Sequence, residues 1–288
     1  MPNQEWSNLL GGRRALVTGS GAGMGRAIGI FMARAGAEVW IVDRDRERAS
    51  GVVARIEEEG GKAHAVIGDV TDPESIAAMA EETGPVDILV NNAGSGVRAY
   101  GESGLRFVSF AESEPADWEP ILQLDLMGVL RMSRQYLPAM VEQGWGRIVT
   151  IVSDAGRKGE RRQVVYGAAK AGAMGFTRGL AAEVGRHGVT VNCISLGTIR
   201  HGGAMGSGDP EAERKILRSY AVGRMGHVAD PAPLAVLLAS DAGEWLTGQV
   251  YPVNGGYTNA LESRSRRPRR WARGTRGARP RRRSPAAQ

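Results

Sequence analysis

Short apolar runs recur along the chain at 15–17, 38–42, 63–67, 86–90, 147–152, 189–195 and 249–253, most of them rich in Val, Ile and Leu. Uninterrupted apolarity over so few residues is the pattern of a strand covered on both faces. Between the runs the period changes to that of a helix, as in Ala27, Ile28, Ile30 and Phe31 after the first run. This predicts helices from the first glycine turn to about residue 35, over 44–59, from Asp72-Pro73 through 79, and over 118–140, 166–184 and 230–240. A short mobile helix is expected over 210–220. Seven strands alternating with helices predict an α/β domain whose doubly wound parallel sheet carries helices on both faces.

The pattern lapses in three places. Residues 95–117 are irregular and carry Phe107 and Phe110, which suits a loop over a crevice, and residues 202–209 are flexible by composition. Residues 261–288 hold eleven arginines and one acid with almost nothing apolar. They are expected to be a disordered tail, because such a segment cannot offset the entropy of ordering. The domains are therefore an extension over 1–12, a catalytic domain over 13–260 and the tail.

Charge changes the picture less than it first suggests. The 288-residue chain has a net charge of +6, but its tail carries +10, leaving −4 for residues 1–260. A basic face for specific nucleic-acid binding is not expected on the domain. The one cysteine, Cys193, excludes an internal disulfide and a multi-thiolate metal site; no metal is expected. No apolar run has the length of a signal or a membrane span, so a cytoplasmic protein with no membrane partner is expected.

Candidate chemistry lies at the ends of the runs. Thr18-Gly19-Ser20-Gly21-Ala22-Gly23-Met24-Gly25 joins the first strand to its helix, a turn suited to a pyrophosphate. Asp43 ends the second strand, where an adenosine ribose would lie. Ser153 follows the fifth strand, and Tyr166 and Lys170 stand one helical turn apart. A tyrosine that exchanges a proton near neutrality needs nearby positive charge, which a lysine one turn on provides.

These motifs, in this order, resemble those of the classical short-chain dehydrogenases/reductases over nearly all of residues 12–257. Thr18-Gly19-x-x-x-Gly23-x-Gly25 is similar to the family's cofactor turn. Asp69-Val70 resembles its adenine-contacting pair, Asn91-Asn92-Ala93-Gly94 its motif after the fourth strand, and Tyr166-Gly167-Ala168-Ala169-Lys170 its active-site motif. The resemblance implies a single-domain Rossmann fold and hydride exchange between NAD(P) and a secondary alcohol or ketone. It assigns Tyr166 as general acid/base, Lys170 as its activator and Ser153 as the group that orients the substrate. Cofactor contacts are implied at Thr18, Gly19, Gly23, Met24, Gly25, Asp43, Asp69, Val70, Asn92, Ala93, Gly94, Tyr166, Lys170, Gly197 and Ile199.

Three departures stand out. Asp125 replaces the family's catalytic asparagine and brings charge toward Lys170, Leu196-Gly197 replaces Pro-Gly, and His201 replaces a threonine. Asp43 would accept from both ribose hydroxyls and repel a 2′-phosphate, and Ala22 offers no cation, so NAD is expected over NADP; Arg44 argues the other way. Arg157, Lys158, Arg161 and Arg162, with Arg98, Arg106 and Arg200, suggest an anionic or CoA-linked substrate, whereas Phe107, Phe110 and Trp145 suggest an alicyclic or steroid alcohol. An NADPH-dependent 3-oxoacyl-thioester reductase is the alternative enzyme, and a non-catalytic dinucleotide-binding protein the other class. The 118–140 and 166–184 helices carry more apolar surface than one sheet can cover, and the resemblance, whose members assemble through these helices, implies a homotetramer.

Overall fold

The computed structural model describes residues 8–95, 109–200, 211, 214 and 217–258. Its strands are β1 (Arg14–Thr18), β2 (Glu38–Asp43), β3 (Lys62–Ile67), β4 (Ile88–Asn91), β5 (Gly146–Ser153), β6 (Val189–Leu196), the two-residue β7 (Ile199–Arg200) and β8 (Gly226–His227), and β9 (Val250–Val253). Seven of them form one sheet in the order β3-β2-β1-β4-β5-β6-β9, all parallel, while β7 pairs with β8 apart from it. All seven predicted strands are in the sheet. The strand order reverses between β1 and β4, so their following loops part and leave a crevice at the carboxyl edge.

Helices α1 (Gly23–Arg34), α2 (Arg46–Glu58), α3 (Pro73–Thr83), α4 (Pro115–Leu122), α5 (Gly128–Glu142), α6 (Ala155–Lys158), α7 (Val164–Val184) and α8 (Ala232–Ala239) supply the covering layers. Alternate strand residues face opposite layers. Val17, Ile41 and Val90 pack with Ile28 and Met32 of α1, Ile56 of α2 and Val236 of α8. Leu16, Leu89 and Ile148 pack with Met79 of α3, Met132 and Met140 of α5 and Leu180 of α7. Both faces of the central strands are therefore dry, which is why those strands read as continuous apolar runs rather than alternating ones. This is a Rossmann fold.

Local chemistry trims several predicted boundaries. Asp45 accepts from Arg48 N and so starts α2 at Arg46. β4 begins at Ile88 because Asp87 is turned to Arg14 N, 2.8 Å away. The single helix expected over 118–140 is corrected: it opens at Pro115 and is broken by one π-turn, Gln123–Met127, in which Gly128 N donates to Gln123 O. The extra residue of a π-turn shifts the helix face locally, and such turns gather at functional sites. Gly128 permits it, since a Cβ there would sit 3.1 Å from Val70 Cγ2. Part of the segment expected to be irregular is ordered, with a 3-10 turn at Phe110–Glu112. Among the described residues of the 210–220 helix, Glu211, Arg214 and Leu217 are helical. Residues 202–209 and the 261–288 tail lie outside the described residues.

Candidate active site

The loops after β1 and β4 are locked together across the crevice. Thr18 Oγ1 accepts from Asn92 N and Ala93 N, each at 3.0 Å, and Asn92 Nδ2 donates to Thr18 O at 2.9 Å and Gly19 O at 3.0 Å. Gly19 is needed here: its φ is +61°, and a Cβ would lie 2.9 Å from Ala93 Cα. Gly25 is equally constrained, because a Cβ would run into Gly19 O and Asn92 Nδ2. Thr18 and Asn92 thus spend most of their polar capacity shaping the cradle, while Asn92 Oδ1 is buried without a partner. α1 opens at Gly23 with no side-chain cap and no acid in its first turn. Its free N–H groups and positive dipole end suit an anion such as a pyrophosphate. Met24 lies half-buried in that first turn. The cradle fits a dinucleotide.

Asp43 ends β2 beside this turn. Its Oδ2 accepts from Gly21 N at 2.9 Å and its Oδ1 from Asp45 N at 3.1 Å, which fixes the carboxylate without a cation. Arg44, the residue that argued for a phosphate, instead reaches Asp69 Oδ2 at 3.5 Å. Burial works against the charge of Asp69, but Thr71 N–H and O–H and then Arg44 outweigh it and hold the carboxyl below its ordinary range. Val70 is buried beside it against Gly128.

Ser153, Tyr166, Lys170 and Asp125 converge from three elements. Ser153 ends β5, Tyr166 and Lys170 sit on successive turns of α7, and Asp125 projects from the π-turn. Small residues let these elements meet: a Cβ at Gly156 would be 2.8 Å from Ala171 N, and one at Gly172 would be 3.2 Å from the Leu126 methyls. Tyr166 is hydrogen-bonded to Ser153, and Lys170 Nζ lies 5.8 Å from the Tyr166 ring centre. Lys170 Nζ also donates to Ile151 O at 3.2 Å and to Asp125 Oδ1 at 2.9 Å. Asp125 is fully buried, and Ser95 meets it with its N–H, 3.1 Å from Oδ1, and with its hydroxyl on Oδ2. Ser95, directly after the Asn-Asn-Ala-Gly motif, was absent from the residues singled out in the sequence. A serine one residue past a motif carries no signal until Asp125 is seen opposite it.

The electrostatics are those of a closed triad. Burial disfavours the Lys170 ammonium, yet Asp125 and Tyr166 prevail and hold it above the ordinary lysine value. Burial pushes the Tyr166 phenol up; Lys170 and the Ser153 hydrogen bond pull it back, Asp125 adds to the rise, and the net direction is upward.

Behind Ser153, Asp154 is buried and ties the strand ends together. It accepts from Ser195 Oγ at 2.7 Å, Asn254 Nδ2 at 2.6 Å, Thr258 Oγ1 at 3.0 Å and Arg157 Nη1 at 3.1 Å. Leu196, in place of the family's proline, pairs with Ser153 in the sheet, and its carbonyl accepts from Asp154 N. Gly197 and Ile199 border a cavity of about 380 Å³ also lined by Thr198, Tyr220 and Asn254. That cavity touches neither Ser153 nor Tyr166, so the reacting centre is located by its side chains, not by the cavity.

The expected substrate residues are only partly brought together. Arg157 is committed to Asp154, and Lys158 pairs with Glu160 and stacks on Tyr257, whereas Arg161 and Arg162 are exposed. Trp145 is a correction: it precedes β5, at the opposite end of the sheet, clamped between Arg13 and Arg147. Phe110 stacks on Trp118, and Arg200 ends β7. Arg98, Arg106, Phe107 and His201 lie outside the described residues.

Residues 13–211 match the family model described as short chain dehydrogenase. The chain belongs to the short-chain dehydrogenase family. It is 34% identical over 256 residues to the 7alpha-hydroxysteroid dehydrogenase of Escherichia coli K12, covering 88% of this chain and 96% of that protein. It is 36% identical over 252 residues to the 3-oxoacyl-acyl-carrier-protein reductase FabG of Aquifex aeolicus, covering 86% and 98%. A solved 7 alpha-hydroxysteroid dehydrogenase, complexed with NADH and 7-oxo glycochenodeoxycholic acid, superposes with a TM-score of 0.79 at 34% identity, covering 88% of this chain and 97% of that one. As a short-chain dehydrogenase this chain is an NAD(P)-dependent oxidoreductase acting on a CH–OH or C=O group. Among the described residues no helix is long and apolar enough to cross a membrane, and no cluster of His, Cys, Asp or Glu could hold a metal ion.

Proposed function

We propose that this protein is an NAD-dependent oxidoreductase that interconverts a secondary alcohol and a ketone. The observation that carries the cofactor preference is Asp43, whose carboxylate is fixed by Gly21 N and Asp45 N, while Arg44 is drawn to Asp69. A fixed negative charge there accepts from two ribose hydroxyls and repels a 2′-phosphate. The cofactor, when bound, supplies the hydride acceptor or donor. Ser153 holds the substrate oxygen, and Tyr166 takes its proton in oxidation and returns it in reduction. Lys170 stabilises the phenolate that forms and would also hold the nicotinamide ribose. Gly197 and Ile199 would hold the nicotinamide end of the cofactor, and the cradle from Gly19 to Gly25 with Asn92, Ala93 and Gly94 would hold the phosphates and adjoining ribose. Asp69 and Val70 would border the adenine.

Arg161 and Arg162 supply the charge for an anionic substrate, and the likeness to a bile-acid-binding steroid dehydrogenase supports a large alicyclic acid of that kind. The likeness to 3-oxoacyl reductases favours a second reading, reduction of a 3-oxoacyl thioester with NADPH. We assign residues 13–260 to catalysis in a cytoplasmic homotetramer, with the tail appended.

Steady-state kcat/KM with NAD and NADP, over hydroxysteroids, cyclic alcohols and hydroxyacyl-CoAs, tests this. NAD is expected to be preferred at least about tenfold, and Asp43→Asn should shrink that ratio by about tenfold, roughly 1.4 kcal/mol. Turnover confined to NADPH and acyl thioesters would establish the second reading instead.

A further inference from the structure

Asp125 is a fully buried carboxylate that ion-pairs with the only buried lysine among the described residues. It is placed there by a π-turn, and Ser95 fills its second oxygen with its hydroxyl. A Cβ at Gly94 would lie 2.8 Å from Asp125 Oδ1 and 3.1 Å from Lys170 Nζ, so the loop after β4 closes over the pair. Lys170 stands one helical turn beyond Tyr166, with its Nζ 5.8 Å from the Tyr166 ring centre. Its positive charge is therefore shared between a permanent partner and the phenol it is to activate.

We propose that Asp125 is a positioning and charge-compensating residue: it aims the Lys170 ammonium and takes up charge that would otherwise stabilise a Tyr166 phenolate, displacing the oxidative reaction toward alkaline pH. The proposal rests on Tyr166 as the acid/base. The titratable groups that act on Tyr166 are Lys170 and Asp125; those that act on Lys170 are Asp125, Tyr166 and Cys193. Cys193, at 3.0 Å from Thr177 Oγ1, is pushed up to about 11 by burial and is neutral over the working range. Asp125 is thus the anion that offsets Lys170, and while Lys170 stays protonated its removal has a defined sign. With the carboxylate gone, the ammonium, still donating to Ile151 O, acts on the phenol unopposed and the phenolate forms at lower pH.

The test labels the tyrosine ring Cζ with carbon-13 and titrates the cofactor-free protein by NMR, using Tyr166→Phe to assign the Tyr166 signal. Asp125→Asn is expected to move the Tyr166 titration down by about one unit or more, a tenfold change in proton affinity. The rising, acid-side limb of the kcat/KM profile for oxidation, which the phenolate base sets, should shift in the same direction. Asp125→Ser, smaller and also neutral, carries the same expectation and serves if the asparagine variant does not fold. An unmoved or upward-shifted Tyr166 titration in a folded variant would overturn the proposal and leave Asp125 a purely structural residue. Full turnover in Tyr166→Phe would instead overturn the assignment of the acid/base.

Discussion

Removing the Asp154 carboxylate tests how the active-site strand end is held. Asp154→Ala deletes the acceptor of three neutral donors, Ser195 Oγ, Asn254 Nδ2 and Thr258 Oγ1, and of Arg157. Asp154 and Ser195 are buried, at 2% and 0% exposure, so water does not readily replace the lost acceptor. Each lost hydrogen bond costs about 1 kcal/mol, although Asn254 Nδ2 keeps Thr258 O and Oγ1 as acceptors. The Arg157 side chain is 22% exposed, so after solvent screening its pair adds about 1 kcal/mol. The expected loss is about 4 kcal/mol, within the range of about 3–5 seen when one partner of a buried ion pair is removed. Asp154→Asn keeps one acceptor oxygen and should lose about half as much. Urea unfolding, followed by circular dichroism, would show a lower midpoint at an unchanged slope. Because the same bonds tie Asn254 and Thr258 to the end of β5, KM for the cofactor should rise as well. A loss below about 1 kcal/mol in Asp154→Ala would refute the reasoning, since it would mean that these donors find other partners.

The remaining predictions concern catalysis and pH. Tyr166→Phe should lower kcat by about 10²–10⁴ while leaving NADH binding, measured by fluorescence titration, nearly unchanged; a variant within a few-fold of the parent would remove Tyr166 from the mechanism. Asp69, held low by Thr71 and Arg44 against its burial, and Asp230, held low by Arg224, ionise more readily folded than unfolded. Their contribution is therefore present above the ordinary carboxylate value of about 3.9 and is lost as pH falls through the depressed folded values. The urea midpoint should drop on acidification below about pH 4, and Thr71→Val should blunt that drop; an identical pH dependence in Thr71→Val would contradict the role given to Thr71.

Much of this molecule was legible because parallel strands, buried on both sides, must be apolar end to end. The seven runs identified the sheet, and the polar residues that interrupt each run at its carboxyl end, Thr18, Asp43, Asp69, Asn92 and Ser153, marked the crevice. Spacing alone also put Tyr166 and Lys170 on one helix face, because four residues make about one turn. What distance in sequence hides was not legible: Trp145 is apolar and near β5, yet it stands at the opposite edge of the sheet.

Periodicity within one segment could determine the fold, the cradle and the tyrosine–lysine pair. Only the tertiary structure decided that Arg44 answers to an acid of this chain, that a π-turn turns Asp125 inward, and that Ser95 meets it. The physical reason is that a charge takes its meaning from the partner opposite it. Those partners, 25 residues away for Arg44 and 30 for Ser95, are chosen by packing across the sheet edge and not by any local pattern.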